Sequence, residues 1–315
     1  MTPPPATDPM PPCTRRVWLG AVWACAAAPW AAAAADAPDE QPVTEALAVP
    51  GATIELQFTP DFSAVQRDNA RQWVQRSADA VAHYFGRFPV PAVDLLLQGT
   101  DGAGVGSGVS FAEPSLLIRV RLGRDTTAEQ FRADWVLVHE MVHLALPRVP
   151  RAQRWLHEGA ATYVEAVARA RAGLLAPADV CKGWVRQMPL GQPRDGDRGL
   201  DRTPTWARTY WGGALFFLQA DVRLRQRGTP ARGLQQALQG VLAAGGDYRV
   251  EWDAQRIFAA ADAALGQTTM SEMYARMKDQ PVPADLAALW RELGVEGATL
   301  RDDAPLAAVR RAIVG

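Results

Sequence analysis

The stretch of the chain most informative about chemistry is His139-Glu140-Met141-Val142-His143, an HExxH pattern. Residues four apart lie on the same face of a helix, so His139 and His143 can direct their imidazoles at one metal ion. Glu140 lies one position further round and can reach a water molecule on that ion. The pattern therefore predicts a zinc-binding helix with Glu140 as general base. Without a metal, the same residues would be two histidines on a partly buried helix.

Two histidines do not complete a catalytic zinc site, which normally has three protein ligands and a fourth position for water. The segment Trp155–Glu165, which reads WLHEGAATYVE, supplies candidate carboxylates downstream. HExxH followed by W-L-x-E-G-x-A-x-Y-x-E resembles the gluzincin metallopeptidases, specifically the aminopeptidase N and glycyl aminopeptidase families. The resemblance implies that Glu158, the glutamate before the glycine, is the third zinc ligand.

Three further residues are candidates for the site, two of them, Glu165 and Tyr210, through the same resemblance. Glu165 matches a recurrent glutamate of the motif; Thr162 and Glu165 share a helix face with Glu158, so both are expected to orient the metal ligands. Tyr210 matches a tyrosine thought to stabilise the oxyanion in such peptidases, although Gly212 replaces the lysine found there before the glycine. Glu165 as a solvated carboxylate and Tyr210 as a packing aromatic are the simpler interpretations. His157 points about 100° away from Glu158 on a helix, so we expect it to be structural.

These residues predict zinc-dependent (Zn²⁺) hydrolysis of peptide bonds in a peptide or protein substrate. Zinc would lower the pKa of its bound water, Glu140 would take the proton and pass it to the leaving amine, and Tyr210 would bind the oxyanion. Aminopeptidase and endopeptidase modes both stay open, with Glu113 as a candidate carboxylate for a substrate N-terminus. Two alternatives are a catalytically silent gluzincin-like protein that binds a periplasmic partner or peptide, and a structural zinc site closed by protein ligands.

Composition places the chain among ordinary soluble globular proteins. It has 315 residues, of which 48% are hydrophobic and 21% charged, with a formal net charge of -1. That length is enough for one large domain or two small ones. No basic cluster appears along the chain, which argues against a nucleic-acid partner. The sequence does not indicate an oligomeric state.

Residues 1–37 are predicted to be a signal peptide. Arg15 and Arg16 precede a short apolar stretch and an alanine run, which is the pattern of an export signal. The paired arginines fit either a twin-arginine or an ordinary leader, and lipidation at Cys25 stays open. We therefore expect a periplasmic protein that touches the membrane only through an uncleaved leader. Cys181 alone would survive cleavage, so the mature chain would have no internal disulfide.

The fold class predicted is α+β, a zincin-like catalytic domain with a small N-terminal β-sheet plus helix and a mostly helical C-terminal half. A capping box at Thr126 and Glu129 is expected to begin one continuous metal-binding helix. The polar loop 191–205 reads as a flap over the cleft or as a surface excursion. Strands are expected at 53–58, 93–97 and 115–122, the last at a sheet edge where it could bind an extended peptide. The predicted divisions are a linker at 38–51, an α+β subdomain at 52–146 that ends in the HExxH helix, and a helical subdomain at 147–315.

Overall fold

The structure, a computed structural model, describes residues 42–297 and 299–315. The predicted signal peptide, its arginine pair and Cys25 lie outside these residues. A mixed sheet with one helix forms the first part of the described chain, and the remainder is mostly helical. The predicted α+β class is therefore confirmed. None of the helices in the described part is long and apolar enough to cross a membrane.

Five strands form the sheet: β1 (Val43–Val49), β2 (Ala52–Phe58), β3 (Ala92–Thr100), β4 (Val105–Phe111) and β5 (Leu117–Gly123). Their spatial order is β1-β2-β3-β5-β4. The three inner strands run parallel, and the two outer strands pair antiparallel to their neighbours. One helix, α1 (Ala64–Phe85), connects β2 to β3, as a parallel pair requires.

Part of the predicted linker is a strand. Residues 43–49 form β1, which pairs with β2 from Val43 opposite Phe58 to Val49 opposite Ala52. Along β1 exposed and partly buried residues alternate, because one face lies on the sheet core and the other faces solvent. The polar composition of this segment thus reflects its edge position, and the linker prediction is wrong for these residues.

The predicted position of the third strand is also wrong. The segment predicted as an edge strand, β5, lies between β3 and β4, and the true edge is β4. β4 reads VGSGVSF, and its glycines and serines carry little strand propensity, so the sequence resembles a turn. The arginines that alternate along β5 extend from one face of an inner strand, with Ile118 and Val120 fully buried on the other.

The remaining elements are helical apart from a two-stranded ribbon. A π-helical turn, Arg208–Gly212, leads directly into α6. The elements are α2 (Ala128–Ala133), α3 (Val136–His143), α4 (Arg154–Arg171), α5 (Pro177–Gln187), α6 (Gly213–Arg227), α7 (Leu234–Ala243), α8 (Ala254–Leu265), α9 (Thr269–Met277), α10 (Leu286–Leu293), β6 (Val295–Glu296), β7 (Thr299–Leu300) and α11 (Ala307–Val314).

The helix predicted to begin at Thr126 is in fact two helices, and its cap lies one residue later. Thr127 and Gln130 form the capping box, because the hydroxyl of Thr126 instead bonds the carbonyl of Gly123 and the amide of Gly104. The chain then breaks at Asp134. The carboxylate of Asp134 accepts hydrogen bonds from the amides of Val136 and Leu137, at 3.0 and 3.2 Å, and so starts α3.

A buried ion pair holds the helices that carry the downstream half of the site. Asp221 and Arg225 on α6 lie 2.8 Å apart, and both side chains are 1% exposed. Asp221 also accepts hydrogen bonds from the Tyr163 hydroxyl on α4, at 3.0 Å, and from the Leu234 amide that begins α7, at 2.9 Å. One carboxylate therefore joins α4, α6 and α7, and this network sets the position of α4.

Candidate metal centre

The two histidines of the HExxH pattern and the downstream glutamate converge on one point. His139 and His143 on α3 and Glu158 on α4 are all buried. Their candidate ligand atoms lie within 4.8 Å of one another. The Nε2 atoms of His139 and His143 lie 3.5 and 3.6 Å from Oε2 of Glu158. The structure thus brings together the three residues that the sequence predicts as ligands.

These separations fit a tetrahedral zinc site. Zinc binds histidine nitrogen and carboxylate oxygen at about 2.0–2.1 Å, and two donors at a tetrahedral angle are then about 3.3–3.4 Å apart. The observed nitrogen–oxygen distances of 3.5 and 3.6 Å are close to that value. Two imidazoles and one carboxylate are also a known catalytic zinc donor set, which leaves a fourth position for water. The residues present therefore fit a zinc ion.

Glu158 offers only one oxygen to this point. Its other oxygen, Oε1, accepts hydrogen bonds from Nε and Nη2 of Arg154, at 3.1 and 2.9 Å. Burial acts to raise the pKa of Glu158, but the hydrogen bond from His139, the adjacent His143 ring and the Arg154 guanidinium hold it well below its usual range. Glu158 is therefore ionised, as a metal ligand must be.

His157 contacts His143 directly instead of pointing away from the site. Their Nδ1 atoms lie 2.7 Å apart, and the rings stack with centroids 4.7 Å apart. If Nε2 of His143 is kept free as a ligand, its Nδ1 carries the proton and donates to His157. Nε2 of His157 then donates to the carbonyl of Leu146 at 3.4 Å. Burial lowers the pKa of His157 to about 4, so this chain of neutral rings fixes the tautomer of His143.

Glu140 lies under the edge strand β4. The hydroxyl of Ser110 donates to Oε2 of Glu140 at 2.7 Å. A Cβ atom on Gly108 would be 2.5 Å from Cγ of Glu140, so only glycine lets the strand pass this close. Burial raises the pKa of Glu140, and the Ser110 hydrogen bond and the nearby His139 ring oppose this shift. The sequence gives no local signal for Ser110, because Ser110 lies 30 residues before its partner Glu140.

Tyr210 reaches the site from the π-helical turn. Its ring stacks at 6.4 Å from His139 and at 5.8 Å from Trp206. Burial first, and then the negative charge of Glu158, raise the pKa of its hydroxyl, so Tyr210 is a neutral hydrogen-bond donor. The structure thus places Tyr210 beside the predicted ligands.

Thr162 and Glu165 lie in a neighbouring cavity and not in the one that holds the ligands. Among the described residues, neither makes a hydrogen bond to His139, His143 or Glu158. Glu165 instead lies 3.4 Å from Arg169, and burial raises its pKa to about 7. Nδ1 of His139 is buried and has no partner in the described part of the chain. Among the described residues, the expected orientation of the ligands by Thr162 and Glu165 is therefore not supported by a hydrogen bond.

The cavity around the ligands has a volume of about 470 Å³, and among the described residues its lining carries three arginines and three glutamates. Arg148, Arg151 and Arg154 all line it, together with Tyr248 and Glu251. Glu113, the candidate for capturing a substrate N-terminus, does not line this cavity. Its side chain is 76% exposed and lies 3.5 Å from Arg148.

The loop 191–205 contributes no residue to the lining of this cavity. It packs against α4 and α9, where Asp201 accepts hydrogen bonds from the indole of Trp155 and the hydroxyl of Tyr274, both at 2.7 Å. The backbone of Leu200 also bonds that of Met277, at 2.9 Å. These contacts favour a structural role for the segment over a flap.

Comparison with solved structures identifies the fold. The chain is similar to an aminopeptidase N family protein from Idiomarina loihiensis, with a TM-score of 0.53 and 12% identity over 86% of this chain and 49% of that one. An M1 zinc metallopeptidase from Deinococcus radiodurans also matches, with a TM-score of 0.48 and 17% identity over 83% of this chain and 53% of that one. The chain therefore spans about half the length of these structures. No protein-family model and no curated protein matches its sequence. The first likeness confirms that the fold of this chain resembles that of an aminopeptidase N family protein.

Proposed function

We propose that the protein is a zinc-dependent peptidase. The observation that carries the proposal is the buried convergence of His139, His143 and Glu158, with Glu140 alongside, at the wall of an open cavity. A structural zinc site would be closed by a fourth protein ligand, whereas the described residues supply three. The aminopeptidase N-like fold supports the same conclusion.

The mechanism assigns a separate task to each side chain. Zinc bound by the three ligands would polarise the substrate carbonyl and lower the pKa of water at the open position toward about 7. Glu140 accepts the proton of the attacking water and delivers it to the leaving amine. The Ser110 hydroxyl holds one oxygen of Glu140 and so fixes the direction of the carboxylate. Tyr210, neutral and close to Glu158, donates to the developing oxyanion.

The edge strand β4 is the element best placed to bind an extended substrate. Gly108, Val109 and Ser110 line the cavity, and β4 has an unpaired edge because β5 covers only its other side. An extended peptide can add to such an edge through backbone hydrogen bonds. This assigns to β4 the task that the sequence analysis gave to β5.

The test compares zinc content and peptide hydrolysis in the wild type and two variants. The wild type should hold one zinc ion per chain and hydrolyse peptides, whereas Glu158→Ala should lose both. Glu251→Ala is the matched control, since Glu251 is an exposed carboxylate of the same cavity and is not a ligand. Zinc retained in Glu158→Ala would show that the ligand assignment is wrong. Zinc without hydrolysis of any peptide in a broad library would favour the silent binder.

Two finer points belong to the same proposal. Peptides with blocked and free N-termini, compared by kcat/KM, separate endopeptidase from aminopeptidase action, because only the latter requires a free amine.

We also propose export to the periplasm, on the basis of residues 1–37. Cell fractionation with and without those residues tests it; retention of the full chain in the cytoplasm would overturn it.

A further inference from the structure

A second cavity lies beside the metal centre and has a different character. Its volume is about 600 Å³, within the range of roughly 300–1,000 Å³ typical of small-molecule sites. Its lining includes four tryptophans, and we call it the tryptophan cavity. The side chains that give it this character are Trp135, Trp184, Trp206, Trp211, Leu175 and Val180.

The tryptophan cavity adjoins the predicted ligands. Tyr210 lines both cavities and forms the wall between them. The Trp135 ring lies 5.6 Å from the His139 ring, and Trp206 lies 5.8 Å from Tyr210. One residue of an extended chain spans roughly 3.3–3.6 Å. A residue next to the scissile bond can therefore place its side chain in this cavity while its carbonyl is at the metal.

The charges around the tryptophan cavity do not select a charged occupant. Glu165 and Arg169 in its lining pair with each other at 3.4 Å. Asp179 and Arg186 on α5 add one charge of each sign. The apolar lining, by contrast, is partly exposed to solvent: Trp135 is 50% exposed and Trp206 is 63% exposed. Large apolar surface left exposed at a cavity mouth is typical of a binding site for an apolar group.

We propose that the tryptophan cavity is the specificity pocket, and that it binds an aromatic side chain adjacent to the scissile bond. The preferred substrates are then peptides with Phe, Tyr or Trp next to the bond that is cleaved, since stacked or edge-on aromatic contacts favour such an occupant. This inference rests on the proposed peptidase function.

Gly183 on α5 provides a way to fill the pocket without disturbing the fold. It lines the cavity, and a Cβ atom added to it would have no neighbour within 4 Å. Leucine is also a better helix former than glycine, so Gly183→Leu should fold. The matched control is Lys182→Leu, which adds the same side chain at the adjacent, exposed position of the same helix. Trp206→Ala is a second variant, since its exposed ring can be removed without opening the core.

The experiment measures kcat/KM for peptide pairs that differ only by Phe or Ala, placed on either side of the scissile bond. We expect the wild type and Lys182→Leu to prefer Phe by tenfold or more on one side, about the discrimination that a hydrophobic pocket supplies. Gly183→Leu should lose that preference while its kcat/KM for the Ala peptide stays within about threefold, and Trp206→Ala should reduce the preference.

Equal kcat/KM for the Phe and Ala peptides in the wild type, or an unchanged preference in Gly183→Leu, would overturn the proposal. Failure of the peptidase function itself would look different, because no peptide would be cleaved. In that case calorimetric titration of the zinc-loaded protein with N-acetyl-phenylalaninamide decides the matter. Saturable binding that Gly183→Leu abolishes supports the pocket, and absence of binding to the wild type overturns it.

Discussion

The crossing of α4 and α6 gives a prediction whose magnitude follows from the structure. A Cβ atom on Gly159 would lie 2.3 Å from Cα of Gly213 and 2.8 Å from the amide nitrogen of Ala214. Both contacts are with backbone, so no side chain can rotate away. Two carbon atoms normally approach to about 3.5–4.0 Å, and the added methyl is therefore short of room by about 1.2–1.7 Å. Gly159→Ala must push the two helices apart.

The expected cost is the balance of two terms. Overpacking a well-filled interior costs about 1–3 kcal/mol and sometimes more, and a displacement of two helix backbones belongs at the upper end. Alanine regains about 0.8–1 kcal/mol over glycine inside a helix. The free energy of unfolding should thus fall by about 2 kcal/mol. Gly183→Ala is the matched control, because its Cβ meets nothing within 4 Å and only the helix-propensity gain applies.

Denaturant unfolding of the metal-free proteins measures this difference without a contribution from zinc binding. The two variants should shift the midpoint in opposite directions. Glu158 directly precedes Gly159, and the turn that carries Tyr210 directly precedes α6. We therefore also expect a loss of up to about 100-fold in kcat, as misplacement of about 1 Å can produce. If Gly159→Ala were as stable as Gly183→Ala and fully active, the close backbone contact inferred here would be wrong.

Three other changes test separate parts of the site and its support. Glu140→Gln should keep its zinc, as measured by metal analysis, and should lose about 10²–10⁴-fold in kcat, as measured by steady-state kinetics. Loss of zinc would show that Glu140 also contributes to metal binding. His157→Phe keeps a ring against His143 but removes the acceptor at Nδ1. Zinc affinity, measured by chelator competition, should therefore fall about 10–100-fold. An unchanged affinity would show that His157 does not fix the tautomer of His143. Asp221→Ala leaves Arg225 buried without its partner and should cost about 3–5 kcal/mol in the free energy of unfolding. Glu272→Ala breaks an exposed, solvent-screened pair and should leave the free energy of unfolding nearly unchanged; equal effects of the two variants would refute the role of burial.

Short-range periodicity in the sequence determines the helices and the shared face of the two histidines. The spacing of His139 and His143 determines their common face once a helix forms, because both lie within one turn and a half of the same backbone. The helices α1, α4 and α6 follow in the same way from their apolar spacing and their glycine ends. Glu158 came from the resemblance of the segment around it and not from periodicity, since nothing local relates α4 to α3.

The features that the sequence did not reveal depend on which segments meet across the fold. Because β4 has weak strand propensity, its sequence does not predict a strand. The contact of Ser110 with Glu140 and the position of the sheet edge beside the cavity could therefore not be predicted. The contact of His157 with His143 depends on the angle between α3 and α4, which a helical wheel of either helix alone does not contain. The tryptophan cavity likewise gathers side chains from α4, α5 and the segments before α3 and α6. The sequence by itself determined the donor types and the helices that carry them, because those arise from contacts within a few residues. Only the tertiary structure decided which groups surround them, because packing between distant elements sets those distances.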